Sequence, residues 1–217
     1  MLKIMDLLVE PPLHPTAQKL VDTVIEMLKT TSYNNIKSES VLLKSGISRG
    51  PMYHHFANFE DLIETAQIQI YKDFASEAIQ ELVDAVNSIE DPFKAREQFG
   101  KVFAAKSNLK SENDLRLRVG IIHNAASIKS LREKLSRTQE SMTLEWMKAY
   151  ELCVDKGWAD PKIDARAVAI LMQSTFIGRV IDNLSKEQMD PALWLQALLR
   201  LFDSFFFATA LAHRTMS

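Results

Sequence analysis

Cysteine is nearly missing from this chain. Cys153 stands alone among 217 residues, which excludes an intramolecular disulfide framework and fits a reducing compartment. Glycine is scarce, six in all, and no stretch alternates apolar and polar residues long enough to argue for a strand. Both absences leave helices as the building material. No run is long and apolar enough to span a bilayer; Arg200 and Asp203 interrupt the richest stretch, around Phe205-Phe206-Phe207. Also missing is any excess of positive charge, the formal net charge being −2. In residues 1–60, Lys3, Lys19, Lys29, Lys37, Lys44 and Arg49 are matched by Asp6, Glu10, Asp22, Glu26, Glu39 and Glu60. Phosphate neutralisation supplies most non-specific affinity for nucleic acid, so any DNA contact has to come from a few well-placed groups. There is no nucleophile elbow, phosphate-cradling glycine loop or zinc-ligand spacing, so neither an enzyme nor a metal or cofactor site is read. Met1 to Glu10 lacks a basic segment ahead of its short apolar run; no secretory leader is expected, and the chain is assigned to the cytoplasm.

What is present is a globular composition, 47% apolar and 25% charged, arranged at helical spacing. Pro11, Pro12 and Pro15 make residues 1–15 an irregular arm. Thr16 is expected to cap a first helix carrying Leu20, Val21, Val24, Ile25 and Leu28. A second helix runs from about Ser38 to Lys44 and a third from Ser48 to Phe56. A long fourth helix, capped by Asn58 with Asp61 three residues on, reaches Ile89. Asp91-Pro92 opens a fifth helix. A sixth carries Leu115 to Ala126, and a seventh runs from about Ser130 to Cys153, ended by Gly157. Two more cover about 164–184 and 191–213. The reading is an all-α chain of about nine helices: an arm over 1–15, a helix-turn-helix DNA-binding domain over 16–60, and a larger helical domain for effector binding and dimerisation over 61–217.

The informative stretch is Val41 to Ile63, VLLKSGISRGPMYHHFANFEDLI. A helix-turn-helix needs a turn of three or four residues, usually with glycine. Ser45-Gly46-Ile47 supplies it, with Ile47 plugging the angle between the helices. The next helix must present short or polar side chains at its start to reach base edges. Ser48, Arg49, Gly50 and Pro51 fit, with one guanidinium able to grip guanine through two hydrogen bonds. Tyr53 and His55 carry polar tips for the duplex backbone, while Met52 and Phe56, four apart, face inward.

These residues resemble the signature of TetR-family transcriptional regulators: Gly46-Ile47-Ser48-Arg49-Gly50, then Met52-Tyr53-His54-His55-Phe56, then Glu60-Asp61-Leu62, with Tyr33 and Ile36 upstream. The resemblance covers about Thr16 to Ala66. It implies a recognition helix over Ser48–Phe56, with Arg49, Gly50, Pro51 and His54 at bases or groove and Tyr53 and His55 at phosphates. It also implies backbone contacts by Thr16, Lys37 and Ser38 near helix N-termini. Phe59 departs from the pattern, standing where many members carry a phosphate-binding lysine; Ser32 and Leu42 depart where glycine and alanine are usual.

Further along, a mostly apolar effector pocket is expected from Phe103, His123, Met142, Trp146, Met147, Tyr150, Gln173 and Phe176. The last two predicted helices are apolar on most sides, which suggests that one face meets the core and the other a second subunit. Val168, Phe176, Ile177, Val180, Leu198, Phe202, Phe205 and Phe206 are the expected interface, and Gly178 a place for close crossing. Adjacent His54 and His55 point about 100° apart on a helix and make a poor metal site, and Cys153 reads as a small buried hydrophobe. The expected partners are double-stranded DNA with a palindromic operator, a small-molecule effector and a second copy of the chain, with no membrane. The neutral charge of residues 1–60 supports one rival, a helical interaction module that does not read DNA itself; an enzyme with a non-motif site is the weaker rival.

Overall fold

The computed structural model describes residues 12–73, 76–108 and 112–215; the side chains at 76–78, 81, 102–108, 112–115, 176, 179, 183 and 213–215 fall outside that description. Eleven α-helices are present among the described residues and no strand. They are α1 (Pro15–Leu28), α2 (Ser38–Ser45), α3 (Arg49–His55), α4 (Phe59–Asp73), α5 (Ser76–Ser88), α6 (Pro92–Asn108), α7 (Glu112–Ser127), α8 (Lys129–Asp155), α9 (Ala165–Asn183), α10 (Pro191–Phe206) and α11 (Ala208–Thr215), with a 3-10 turn at Tyr33–Asn35. The chain divides into two compact units, Met1–Asp73 with Leu117–Thr138, and Phe74–Arg116 with Gln139–Ser217.

In the first unit, α1 buries Ala17, Leu20, Val21, Val24 and Leu28, the three-and-four spacing of one helix face. Val41, Met52, Phe56, Leu62, Ile63 and Ala66 join them in one apolar core. The cap of α1 is not Thr16. His14 takes that position, its Nδ1 accepting the Thr16 N–H at 3.2 Å, and Pro15 is the first helical residue. Proline suits that place because its fixed φ is helical and its missing N–H would be unpaired anyway.

The two ends of α4 are both held by the Leu117–Thr138 segment. At the start, Asn58 Oδ1 accepts the Asp61 N–H at 2.7 Å, and the Asp61 carboxylate accepts the Ala57 N–H at 2.9 Å. Lys134 of α8 then reaches Asp61 at 2.5 Å and Glu64 at 2.8 Å. Ser130 donates to the other oxygen of Glu64. At the far end, Arg118 of α7 donates to the Tyr71 carbonyl at 3.0 Å and lies over the Tyr71 ring. Burial lowers the Arg118 pKa to about 10, Tyr71 opposing the fall, so the guanidinium stays charged at neutral pH.

In the second unit, Phe99, Trp146, Tyr150, Phe202 and Phe206 form an aromatic core. The Phe99 and Phe202 rings stack at 3.8 Å and Phe206 meets Tyr150 edge-on at 5.6 Å. Arg96 and Asp203 close a two-fold hydrogen-bonded pair at 2.6 Å. Asp91, Asp164 and Asp190 cap α6, α9 and α10, and Gly157, at φ 71°, ends α8. The expected fourth helix is described as α4 and α5, with residues 74–75 outside the description. The expected ninth is broken at Phe207. That side chain is buried against Trp158, and the N–H groups of Thr209 and Ala210 turn to the Trp158 carbonyl. Tertiary packing and a new acceptor replace the helical hydrogen bonds there.

Cys153 is fully buried, and burial pushes its thiol up to about 12 against the small opposing pull of Lys156. With so little thiolate, the folded protein is expected not to react with Ellman's reagent at pH 8, and to titrate one thiol per chain once denatured.

Lys134→Met removes the cation from a pair that is neither fully exposed nor fully buried, and is expected to cost about 2 kcal/mol in denaturant unfolding. Burial pushes the Asp61 carboxyl up, but the Lys134 hydrogen bond, the Ala57 N–H and the Lys134 charge outweigh it, so its pKa is lowered. Burial likewise pulls Lys134 down, and its bonds to Asp61 and Glu64 raise it overall. Asp61's contribution is therefore present above about pH 4 and lost as pH falls through its lowered value; Lys134's is present below about pH 10 and lost as pH rises through its raised value. The stability difference between wild type and Lys134→Met should stay flat from about pH 5 to 9 and shrink in acid.

Candidate nucleic-acid interface

The geometry of α3 follows from its two neighbours. Gly46, at φ 67°, adopts the left-handed conformation that ends α2. Ser45 is buried; its hydroxyl donates to the Leu42 carbonyl and accepts the Ile47 N–H, both at 3.2 Å, which ties the turn. Ile47 packs on the core, and α3 starts at Arg49. Ser48 sits at the cap position without a side-chain capping bond. Met52 is 0% exposed and Phe56 is buried, so one stripe of α3 is fixed in the core.

The remaining circumference faces solvent. Ser48, Arg49, Gly50, Pro51 and His54 are exposed and Tyr53 is 53% exposed. A Cβ added at Gly50 meets nothing within 4 Å, so nothing in the chain itself demands glycine there. Arg49 Nη2 lies 3.3 Å from Glu39 Oε1, an exposed pair of little strength, so the guanidinium is held loosely. His55 is half-buried, stacked on His14 at 4.9 Å and edge-on to His54 at 5.0 Å. Desolvation first, then the neighbouring His14 and His54, lower the His55 pKa, so at neutral pH it acts as a neutral hydrogen-bonding group. No group of three metal-binding side chains gathers among the described residues.

Thr16 is half-buried with its N–H committed to His14. Lys37 is exposed at the start of α2 and Ser38 half-buried beside it. Lys29 pairs with Glu26, whereas Lys19, Lys37 and Lys44 have no ion pair among the described residues. Phe59 packs against the head core, so the position where a lysine was the usual residue adds no cation.

The expected effector residues fall in both compact units. His123 is exposed and belongs to the first unit, whereas Met142, Trp146, Met147, Tyr150 and Gln173 belong to the second. Met142, Trp146 and Tyr150 are buried and Met147 is half-buried. The Tyr150 hydroxyl donates to the Asp160 carbonyl at 2.6 Å. Gln173 accepts from Gln139 and donates to Thr143 and the Ala169 carbonyl. The Phe103 and Phe176 side chains lie outside the described residues.

Of the expected dimer residues, Val168, Leu198, Phe202 and Phe206 are buried in this chain's own core and are not free for a partner. The four-residue steps from Leu198 to Phe206 put them on one inward face. Ile177, Val180 and Phe205 are half-buried. On and beside α9 and α10 the exposed apolar side chains include Ile170, Leu171, Ile181, Leu184, Leu193 and Leu201, with Leu184 84% exposed. Among the described residues, nothing beyond its own helix lies within 4 Å of a Cβ added at Gly178, so none of them makes a close crossing there. No described helix is long and apolar enough to cross a membrane.

No protein-family model matches the chain, and no curated protein does. Solved structures do match. A protein from Mesorhizobium loti assigned to the TetR family of transcriptional regulators superposes with a TM-score of 0.68 at 16% identity, over 87% of this chain and 95% of its own. A second so assigned, from Rhodococcus sp., gives 0.67 at 16% identity, over 88% and 98%. GusR of Salmonella enterica gives 0.64 at 16% identity, over 91% and 98%. The chain has the fold of the TetR-family transcriptional regulators.

Proposed function

We propose that this protein is a sequence-specific DNA-binding regulator, not an enzyme, acting as a homodimer on a palindromic operator. One observation carries the reading. Helix α3 is anchored by buried Met52 and Phe56 and shows solvent a run of Arg49, Gly50, Pro51, Tyr53 and His54. A rigidly held short helix with a guanidinium, small residues and hydrogen-bonding tips on its free face is what major-groove readout requires. The open space at Gly50 leaves room for a base edge. Thr16, Lys37, Ser38 and His55 are assigned to the phosphates, and the helix-turn-helix over 16–60 to this role.

Residues 61–217 are assigned to effector binding and to dimerisation. The second subunit is proposed to cover Ile170, Leu171, Ile181, Leu184, Leu193 and Leu201, a set of exposed apolar side chains on and beside α9 and α10. An effector among Met142, Trp146, Tyr150 and Gln173 has to reach buried side chains, and the Tyr150 hydroxyl and the Gln173 amide are already bonded. That requirement would make its binding a conformational event, and any loss of operator affinity it causes must be matched by an equal loss of its own affinity on DNA.

Mobility-shift titration against the DNA flanking the protein's own coding region tests the reading. Arg49→Ala is expected to weaken a specific shift about tenfold or more and Tyr53→Phe severalfold, with about three or four phosphate contacts per subunit setting a shallow salt dependence. A specific shift that neither substitution weakens would refute the assignment of α3. Light scattering checks the interface: wild type should have twice the chain mass, and Leu171→Lys with Ile181→Lys the mass of one chain.

A further inference from the structure

A cavity of about 390 Å³ opens inside the first compact unit, among the Tyr33–Asn35 turn, the start of α2, the first turns of α4 and Ile128 between α7 and α8. Its size falls in the range of small-molecule sites. Ile36 and Ile63 are buried there, with half-buried Tyr33 and Phe59 beside them. Gln67 also lines it and is only 3% exposed, yet its side-chain amide has no hydrogen-bond partner among the described residues. The amide is not sealed from the cavity, so its hydrogen bonds go to water there or to a ligand that replaces the water.

Charge narrows what that ligand is. Glu39 and Glu60 are exposed lining residues; Lys37 lines the cavity as well, and Glu39 pairs with Arg49 at 3.3 Å. The third acid, Glu64, is already met by Lys134 and Ser130. Glu60 has no ion pair among the described residues, and a carboxylate beside aromatic rings favours an organic cation.

We propose that this cavity binds a small hydrophobic amine bearing a hydrogen-bonding group. Its apolar body rests on Ile36 and Ile63 beside Tyr33 and Phe59, its hydroxyl or carbonyl satisfies Gln67, and its ammonium lies at Glu39 and Glu60. Glu39 is also the partner of Arg49. The amine therefore competes with Arg49 for that carboxylate, and its occupancy is read by the free face of α3. This last coupling rests on the DNA-binding reading of α3; the binding itself does not.

Calorimetric titration of the full chain without DNA tests the site, using tyramine as the probe. Phenethylamine lacks its hydroxyl, and 3-(4-hydroxyphenyl)propionate replaces the ammonium by a carboxylate. Tyramine should bind saturably, one per chain, phenethylamine about tenfold more weakly, and the carboxylate not at all. Gln67→Leu should bring tyramine down to the phenethylamine level, and Glu60→Gln, an exposed change that leaves the core intact, should weaken both amines severalfold. Melting curves of both variants show whether they are folded. Absence of saturable heat with tyramine, equal binding of the carboxylate, or unchanged tyramine affinity in folded Gln67→Leu and Glu60→Gln would each overturn the proposal.

Discussion

The carboxylate of Asp61 serves two partners, and the arrangement of the helix-turn-helix head depends on it. One oxygen takes the Ala57 N–H, closing the turn that leads out of α3; the other takes Lys134, which lies 73 residues further along the chain. Glu64 and Ser130 complete the cluster one helical turn away. Arg118 holds the opposite end of the same helix through the Tyr71 carbonyl. Helix α4 is thus fastened at its start by a cation and its partner acids and at its end by a buried guanidinium. Because α3 joins α4 through Ala57 and Asn58, the placement of Arg49 and Tyr53 is set by charges on α7 and α8 as well as by the turn at Gly46.

That arrangement explains how an electrically neutral head can present a specific surface. Arg49 is held only by an exposed pair with Glu39, and Lys19, Lys37 and Lys44 have no ion pair among the described residues, so a few cations remain available without a bulk positive field. Phe59 contributes packing where a lysine would contribute charge, and the same side chain lines the cavity beside Gln67. On the proposed DNA-binding reading, a head with less phosphate attraction relies more on the fixed geometry of α3, and fixed geometry is what Met52, Phe56 and Asp61 supply.

What could be read from the sequence was local. Gly46 announces a left-handed turn, Asn58 and Asp61 announce a capped helix, and Met52 and Phe56 share a face because they are four apart; each signal spans a few residues. The errors share a different origin. His14 caps α1 by a ring nitrogen, outside the usual set of capping side chains, and Pro15 was counted as a breaker although it sits where proline starts a helix. The break at Phe207 depends on the Trp158 carbonyl, 49 or more residues back in sequence, and no run of phenylalanines reveals it. An all-round apolar α10 does not show which face meets its own core; in the structure Leu198, Phe202 and Phe206 lie on that face. Nothing local in the sequence marks Lys134 or Arg118, because their partners lie 73 and 47 residues away.

The central claim is that Lys134 holds the α3–α4 turn through Asp61. Amide hydrogen exchange at Ala57, compared between wild type and Lys134→Met, tests it most directly. If the account is right, Ala57 and the last amides of α3 exchange about tenfold or more faster in the variant, while Leu20, Val21 and Val24 in α1 keep their protection. Equal exchange at Ala57 in the two proteins would contradict it.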